Sequence, residues 1–288
     1  MRWRRAPAKV NLTLRVVGRR LDGFHEIESL VAFADVCDWL SFSPGGPFEL
    51  AVEGEGLEDI GPPDDNLVAR AARALAARVP DLLLGRFRLI KRLPAAAGLG
   101  GGSSDAAAAL RALAEANGLP LTDARVIAAA RDVGSDVPVC LAGTARTMAG
   151  VGDALGPPIR LPPLDALLVN PRRVVATKDV FEALGLKRGA SYRAAEAPAL
   201  SGHGFEAADL EALASGGNDL EPAARAILPL IGDILDRLSW LPGARFARMS
   251  GSGATCFAVF DSAGAARAAS ALVAADNPDW WIAATTLR

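Results

Sequence analysis

The 288-residue sequence is poor in the residues that soft metals and redox chemistry require. It has three cysteines, Cys37, Cys140 and Cys256, and two histidines. No C-x-x-C pair occurs, which argues against a zinc site. Three widely spaced thiols in apolar contexts read as buried structural residues of a protein kept in a reducing cytoplasm, not as a disulfide framework. No apolar run reaches about eighteen residues, so no membrane-spanning helix is expected. The opening MRWRRAPAKVNLTLRVVG is cationic but has no apolar stretch of the kind a signal peptide carries. Excess charge is missing too: 31 Lys and Arg stand against 33 Asp and Glu, for a net charge of −2. A chain this close to neutral has no broad field with which to hold DNA or RNA, so any phosphate it binds is gripped locally.

The apolar share of 51% and the charged share of 22% are those of a globular protein. The length suits two domains of roughly 100–150 residues. Pro157-Pro158 and Pro162-Pro163 read as a linker, which gives domains over 1–160 and 161–288. In the first, residues 8–16 alternate: Val10, Leu12, Leu14 and Val16 share one face, and Lys9, Asn11, Thr13 and Arg15 the other. Period two predicts a half-buried strand. Apolar runs near 27–33, 36–42 and 48–52 read as further strands. Asp64-Asp65 offers an N-cap to a helix over 66–79, and Phe87 to Lys91 reads as a strand. Helix propensity is strong from Ser104 onward and stops at Gly118. A helix over 122–133 ends at Gly134. The second domain reads as a strand at 165–169 and short helices at 178–184 and, with a break at Gly216-Gly217, over 207–240. It ends strand (244–249), loop, strand (255–260), helix (263–275), strand (280–286). Strands and helices in mixed order predict an α+β architecture in both halves.

The richest segment is Gly98-Leu99-Gly100-Gly101-Gly102-Ser103-Ser104. So many glycines lose backbone entropy and add nothing to a core, unless the backbone must approach a ligand closely. Free N–H groups at a helix start, together with the positive end of the dipole, make an anion site, and phosphate is the obvious anion. A Walker A loop is excluded because Ser103-Ser104-Asp105 stands where Gly-Lys-Ser/Thr is needed. A dinucleotide-binding loop is excluded because Ser103 replaces its third glycine. Asp105 suits the dipole and reads as a cap. Lys9 is either a surface lysine on an edge strand or a functional cation. Asp136, in Gly134-Ser-Asp-Val-Pro-Val139 before an apolar strand-like run, is either a turn aspartate or a general base. Ser250-Gly-Ser-Gly-Ala254 is either a tight hairpin or a flap over the first loop's ligand. Phe24-His25 is either structural or a nucleobase contact.

Three separated segments resemble, in order, the three motifs of the GHMP kinases: Ala6-Pro-Ala-Lys9-Val-Asn11-Leu, Leu93-Pro-Ala-Ala-Ala-Gly98-Leu-Gly-Gly-Gly-Ser-Ser104-Asp, and Ser250-Gly-Ser-Gly-Ala-Thr-Cys-Phe. Gly18-Arg-Arg-Leu-Asp-Gly-Phe-His25-Glu-Ile-Glu-Ser, Asp65-Asn-Leu, Gly134-Ser-Asp-Val-Pro-Val139 and Asn218-Asp-Leu-Glu-Pro222 extend the resemblance to members that phosphorylate a cytidine-diphosphate-linked polyol. The resemblance implies a two-domain fold with a ribosomal protein S5-like N-terminal domain, a ferredoxin-like C-terminal domain and the active site in the cleft between them. It implies ATP as phosphoryl donor, with Mg2+. Pro94, Ala95, Ala96, Ala97, Gly98, Leu99, Gly100, Gly101, Gly102, Ser103 and Ser104 would wrap the ATP phosphates, with Asn66 and Lys91 as nucleotide neighbours. Lys9 and Asp136 would be the catalytic pair. Asn11 and His25 would contact the acceptor, with Phe24 and Phe181 sandwiching its cytosine. The candidate protein ligands for the metal are Ser103, Ser104 and a carboxylate, with ATP and water supplying the rest. The enzyme is expected to be cytoplasmic, a monomer or weak homodimer, with no nucleic-acid or membrane partner. Phe24 stands where tyrosine is usual, and Lys178 departs from the family pattern in the 175–181 segment. A GHMP kinase acting on homoserine, mevalonate or a sugar is the nearest rival reading, and an idle nucleotide-binding protein the next.

Overall fold

The computed structural model describes residues 2–54, 62, 65–191 and 207–288, with only the backbone at 207–208. The chain divides into two compact units. One comprises Met1–Lys9, Val36–Ala95 and Gly100–Gly143; the other comprises Val10–Asp35, Ala96–Leu99 and Thr144–Arg288.

Two long strands open the chain, β1 (Arg2–Arg19) and β2 (His25–Pro44), and they pair with each other. Both exceed expectation. The strand expected over 8–16 extends in both directions, and the strands expected at 27–33 and 36–42 are one. Asp35 does not break β2, because Arg288 Nη1 meets its carboxylate at 2.5 Å and the backbones of Phe33 and Arg288 exchange hydrogen bonds. Nor is β1 half-buried: Lys9, Asn11 and Thr13 are buried along with the apolar face. Asn11 and Thr13 are met from β2, where Ser29 Oγ accepts from Asn11 Nδ2 at 2.7 Å and Leu30 N donates to Thr13 Oγ1 at 3.2 Å.

In the first unit, β4 (Gly85–Lys91) lies between β3 (Glu49–Gly54), which runs parallel to it, and the far half of β2, which runs antiparallel in the register Trp39↔Ile90 to Pro44↔Gly85. Four helices accompany these strands: α1 (Leu67–Ala76), α2 (Gly101–Ala116), α3 (Ala124–Val133) and α4 (Val137–Ala142). Helix α1 packs on α2 and α3, and α2 packs on α4. The N-cap of α1 is Asn66, whose side chain accepts from Val68 N at 2.9 Å, and not Asp65; Asp64 lies outside the described residues. Helix α2 begins at Gly101, three residues before the expected start. Its glycines are carried into the helix by the bond from Ser104 N to Gly100 O and by burial of its alanines and leucines. The strand expected after Asp136 is the short helix α4. Pro138 lacks the N–H that a paired strand needs, but it suits a first helical turn. Gly143, at φ +66, ends that helix.

In the second unit, β10 (Trp281–Leu287) touches β2 at Leu287↔Ala34, and the order continues β10–β7 (Leu164–Asn170)–β9 (Cys256–Phe260)–β8 (Ala244–Met249). The near half of β2 pairs with β5 (Arg146–Gly150), and β5 with β6 (Ala154–Pro158), which ends in Pro157 and Pro158. Helices α5 (Thr177–Ala183), α6 (Ala207–Ser215), α7 (Glu221–Ile227), α8 (Leu230–Ser239) and α9 (Ala263–Asp276) complete it. Leu14, Val16, Leu167, Val169, Ile231, Ile234, Leu238 and Phe260 meet in its core. All three cysteines are free and buried, as expected. No helix among the described residues is long and apolar enough to cross a membrane.

Candidate active site

The glycine segment is built for close approach. Gly100 is the residue before α2, in the left-handed conformation at φ 60 and ψ 23, and it offers no side-chain cap. A Cβ on it would lie 3.2 Å from Lys9 Cε, 3.3 Å from Lys9 Cβ and 3.7 Å from Asp136 Oδ2. The N–H groups of Gly101, Gly102 and Ser103 find no acceptor among the described residues, and Ser104 N makes the first helical bond, to Gly100 O. Three free amides at the positive end of a sixteen-residue helix can cradle phosphate oxygens. Ser104 faces inward: its hydroxyl donates to Pro7 O at 2.6 Å and lies 3.3 Å from Cys140 Sγ. Burial pushes that thiol up to about 12, so Cys140 meets Ser104 as a neutral group.

Beside this strip stands the ion pair that the sequence left open. Lys9 Nζ lies 2.8 Å from Asp136 Oδ2. The lysine side chain is 5% exposed and the aspartate 29%. Lys9 is therefore no surface lysine, and the side chain of Asp136, although at the N-cap position of α4, makes no capping hydrogen bond. A carboxylate fixed by one buried ammonium and still partly open can accept a proton from an incoming hydroxyl.

Under the strip lies a second charged group, which sequence reasoning missed. Lys91 Nζ meets Asp105 Oδ2 at 2.7 Å and is also bonded to Asp38 Oδ2. Asp38 Oδ1 accepts from the backbone N–H of Arg92 at 2.5 Å and of Leu93 at 2.8 Å. Burial raises the Asp105 carboxyl to about 7 against the pull of Lys91, with Asp38 adding to the rise. Burial disfavours the Lys91 ammonium, yet its two carboxylates outweigh that and hold its pKa above the usual value. Asp105 is thus no cap. It is a buried counter-ion whose Oδ1 has no hydrogen-bond partner among the described residues. A Cβ on Gly101 would lie 3.6 Å from Lys91 Nζ, so this network sits directly behind the first residue of α2. Of the other residues expected near nucleotide, Asn66 is buried as the α1 cap, Ala97 and Leu99 are buried, Pro94 and Ala95 are half-buried, and Ala96 is exposed.

In the second unit the Ser250–Ala254 loop joins β8 to β9 in a hairpin and grips two other expected segments. Ser250 Oγ donates to Gly98 O at 2.9 Å and accepts from Asn11 N at 3.1 Å. Gly98 has φ +74, and a Cβ there would collide with Ser250 O. Asn218 Nδ2 donates to Met249 O and Gly251 O, each at 2.8 Å, which gives the Asn218-Asp-Leu motif a role in holding the loop. His25 and Phe181 stack at 4.7 Å between ring centroids, 27° from coplanar. Phe24 is exposed and makes no ring contact among the described residues, so the structure pairs Phe181 with His25 and not with Phe24. Burial and the Arg19 charge lower the pKa of His25, keeping the imidazole neutral near pH 7. Lys178 is solvent-exposed, 3.8 Å from Glu182, while its neighbour Thr177 bonds Ser252 Oγ at 2.8 Å. Among the described residues no group of three or more His, Cys, Asp or Glu gathers to hold a metal.

Comparison with known proteins agrees with this geometry. The family described as GHMP kinases N terminal domain matches residues 66–144, and GHMP kinases C terminal matches residues 198–278. The chain is 56% identical over 287 residues to the 4-diphosphocytidyl-2-C-methyl-D-erythritol kinase of Xanthobacter autotrophicus, covering 99% of this chain and 98% of that one. It is 56% identical over 286 residues to the kinase of the same name from Methylobacterium radiotolerans, with the same coverage. A crystal structure of 4-(cytidine 5'-diphospho)-2C-methyl-D-erythritol kinase superposes with a TM-score of 0.79 at 34% identity, covering 99% of both chains. A homoserine kinase from Cytophaga hutchinsonii, at 18% identity, superposes with a TM-score of 0.68 over 98% of this chain and 92% of its own, which shows a shared fold.

Proposed function

We propose, for a chain that belongs to the 4-diphosphocytidyl-2-C-methyl-D-erythritol kinases among the GHMP kinases, that it transfers the γ-phosphoryl group of ATP to the 2-hydroxyl of 4-diphosphocytidyl-2-C-methyl-D-erythritol, yielding the 2-phosphate and ADP in non-mevalonate isoprenoid biosynthesis. The observation that carries this reading is the 2.8 Å contact between Lys9 Nζ and Asp136 Oδ2 beside the Gly100 backbone.

The acceptor hydroxyl attacks the γ-phosphorus, and its proton passes to Asp136 as the bond from the γ-phosphorus to the bridging oxygen breaks and ADP leaves. Lys9 orients Asp136 and offsets negative charge on the acceptor oxygen. The amides of Gly101, Gly102 and Ser103, without an acceptor among the described residues, would donate to the phosphates, and preorganised donors of this kind are often the largest stabilising effect in such a site. Magnesium supplies charge neutralisation on the phosphates. With no protein cluster of three candidate ligands among the described residues, nucleotide oxygens and water would form most of its shell, and Ser103 at the start of α2 is the available protein hydroxyl. Neutral His25 has one ring N–H and one bare ring nitrogen, so it can both donate to and accept from the edge of a cytosine, and its Nε2 is buried without a partner among the described residues. Phe181 supplies an aromatic face for stacking.

An ATP-consumption assay with this acceptor beside homoserine and mevalonate tests the reading. Turnover with the cytidine compound alone is expected. Turnover with homoserine or mevalonate and not the cytidine compound would overturn it.

A further inference from the structure

Helix α4, which presents Asp136, has six residues. Isolated helices of fewer than about twelve residues are marginal in water, so its neighbours must hold it. Arg111 of α2 holds its far end: Nη2 donates to Cys140 O at 2.7 Å and to Leu141 O at 2.9 Å. These are carbonyls that a helix end leaves unpaired, and a cation there complements the negative end of the peptide dipoles. The space is shaped for this guanidinium. Gly143, the C-cap of α4, has φ +66, and a Cβ on it would collide with Arg111 Nη2. Two turns earlier on the same stripe of α2, Ser104 donates to Pro7 O, two residues before Lys9 on β1. One turn later Glu115 pairs with Arg4 of β1 at 2.6 Å. One polar stripe of α2 therefore holds both the strand that carries Lys9 and the helix that carries Asp136.

We infer that Arg111 is a positioning residue of the phosphoryl transfer: acting through α4, it fixes where the Asp136 carboxylate meets the Lys9 ammonium. The inference rests on the reading of Asp136 as the proton acceptor.

Steady-state kinetics of Arg111→Met, Arg111→Lys, Gly143→Ala, Asp136→Ala and the double variant Arg111→Met/Asp136→Ala test it. Misplacement of a catalytic group by a fraction of an ångström predicts roughly a tenfold fall in kcat for Arg111→Met. The KM for ATP should stay within about threefold of wild type, and Arg111→Lys should recover part of the loss by reaching one carbonyl. Gly143→Ala should reproduce the fall. Because Arg111 acts through Asp136, its effect should vanish in the Asp136→Ala background. Losses that multiply in the double variant would overturn the inference, since a merely structural defect would lower both backgrounds alike. Should Arg111→Met fail to fold, Gly143→Ala with and without Asp136→Ala makes the same comparison. A slow Asp136→Ala enzyme beside an unaffected Arg111→Met enzyme removes this inference alone. An Asp136→Ala enzyme of undiminished kcat removes the proton-acceptor reading and the inference with it.

Discussion

Replacing Gly100 by alanine adds one methyl group where the backbone, the lysine and the carboxylate converge. Two effects follow. The left-handed conformation of Gly100 costs a residue with a Cβ about 1–2 kcal/mol. The methyl would also stand 3.2 Å from Lys9 Cε and 3.3 Å from Lys9 Cβ, so Lys9 must move by a few tenths of an ångström, disturbing an ammonium held 2.8 Å from Asp136. Since an ångström of misplacement can cost about a hundredfold in rate, a shift of that size predicts a several-fold fall in kcat. The same helix carries its own control. Gly118, just past the end of α2, has φ +64 and nothing within 4 Å of an added Cβ. Gly118→Ala should therefore lose a similar 1–2 kcal/mol, about the same backbone term, and keep wild-type kcat. Chemical denaturation and steady-state kinetics on the two variants separate backbone strain from the contact with Lys9. Equal kcat in the two would refute the placement of Gly100 against the catalytic pair.

Two further expectations concern the base and the buried carboxylate. Base–aromatic stacking contributes roughly 1–3 kcal/mol, so Phe181→Ala should raise KM for the cytidine acceptor by a factor of about 5 to 150 and leave KM for ATP near wild type; equal rises in both would contradict the role given to Phe181. Asp105 has a folded-state pKa raised to about 7 by burial, against about 4 for an unfolded aspartate. Between those values the folded protein holds the extra proton, so this group lowers stability as pH rises through that window. The stability of Asp105→Asn relative to wild type should therefore grow from pH 4 to pH 7; a difference that is constant across denaturation curves at several pH values would contradict it.

The parts of the site with a local signature were legible in the sequence. A run of glycines abutting a strong helix can be read without knowing its neighbours, although the helix starts at Gly101 and not at Ser104, so the free amides are those of Gly101–Ser103. Lys9 and Asp136 were ambiguous alone, because each had an ordinary structural explanation. Their meeting across 127 positions of chain is a property of the fold. The same is true of Asp38 with Lys91, 53 positions apart, and of Arg111 with the carbonyls of α4: no spacing rule links such residues. Misread elements share one cause, a local cue overridden by tertiary context. The apolar runs at 27–33 and 36–42 looked like two strands but are one, with Asp35 between them paired to Arg288, and the apolar Val137–Leu141 run looked like a strand although Pro138 favours the first turn of a helix. The lysine-bearing face of β1 looked solvent-facing because its polar residues alternate, yet Asn11 and Thr13 are bonded to β2, Lys9 is paired with Asp136, and all three are buried.

The central claim is that Asp136, oriented by Lys9, takes the acceptor proton at the glycine strip. Single-turnover transfer by Asp136→Asn at saturating ATP, with nucleotide affinity measured on the same protein, tests it most directly. The account predicts a rate lower by at least about a hundredfold with ATP affinity near wild type. A wild-type rate, or a loss that follows entirely from weaker ATP binding, would contradict it.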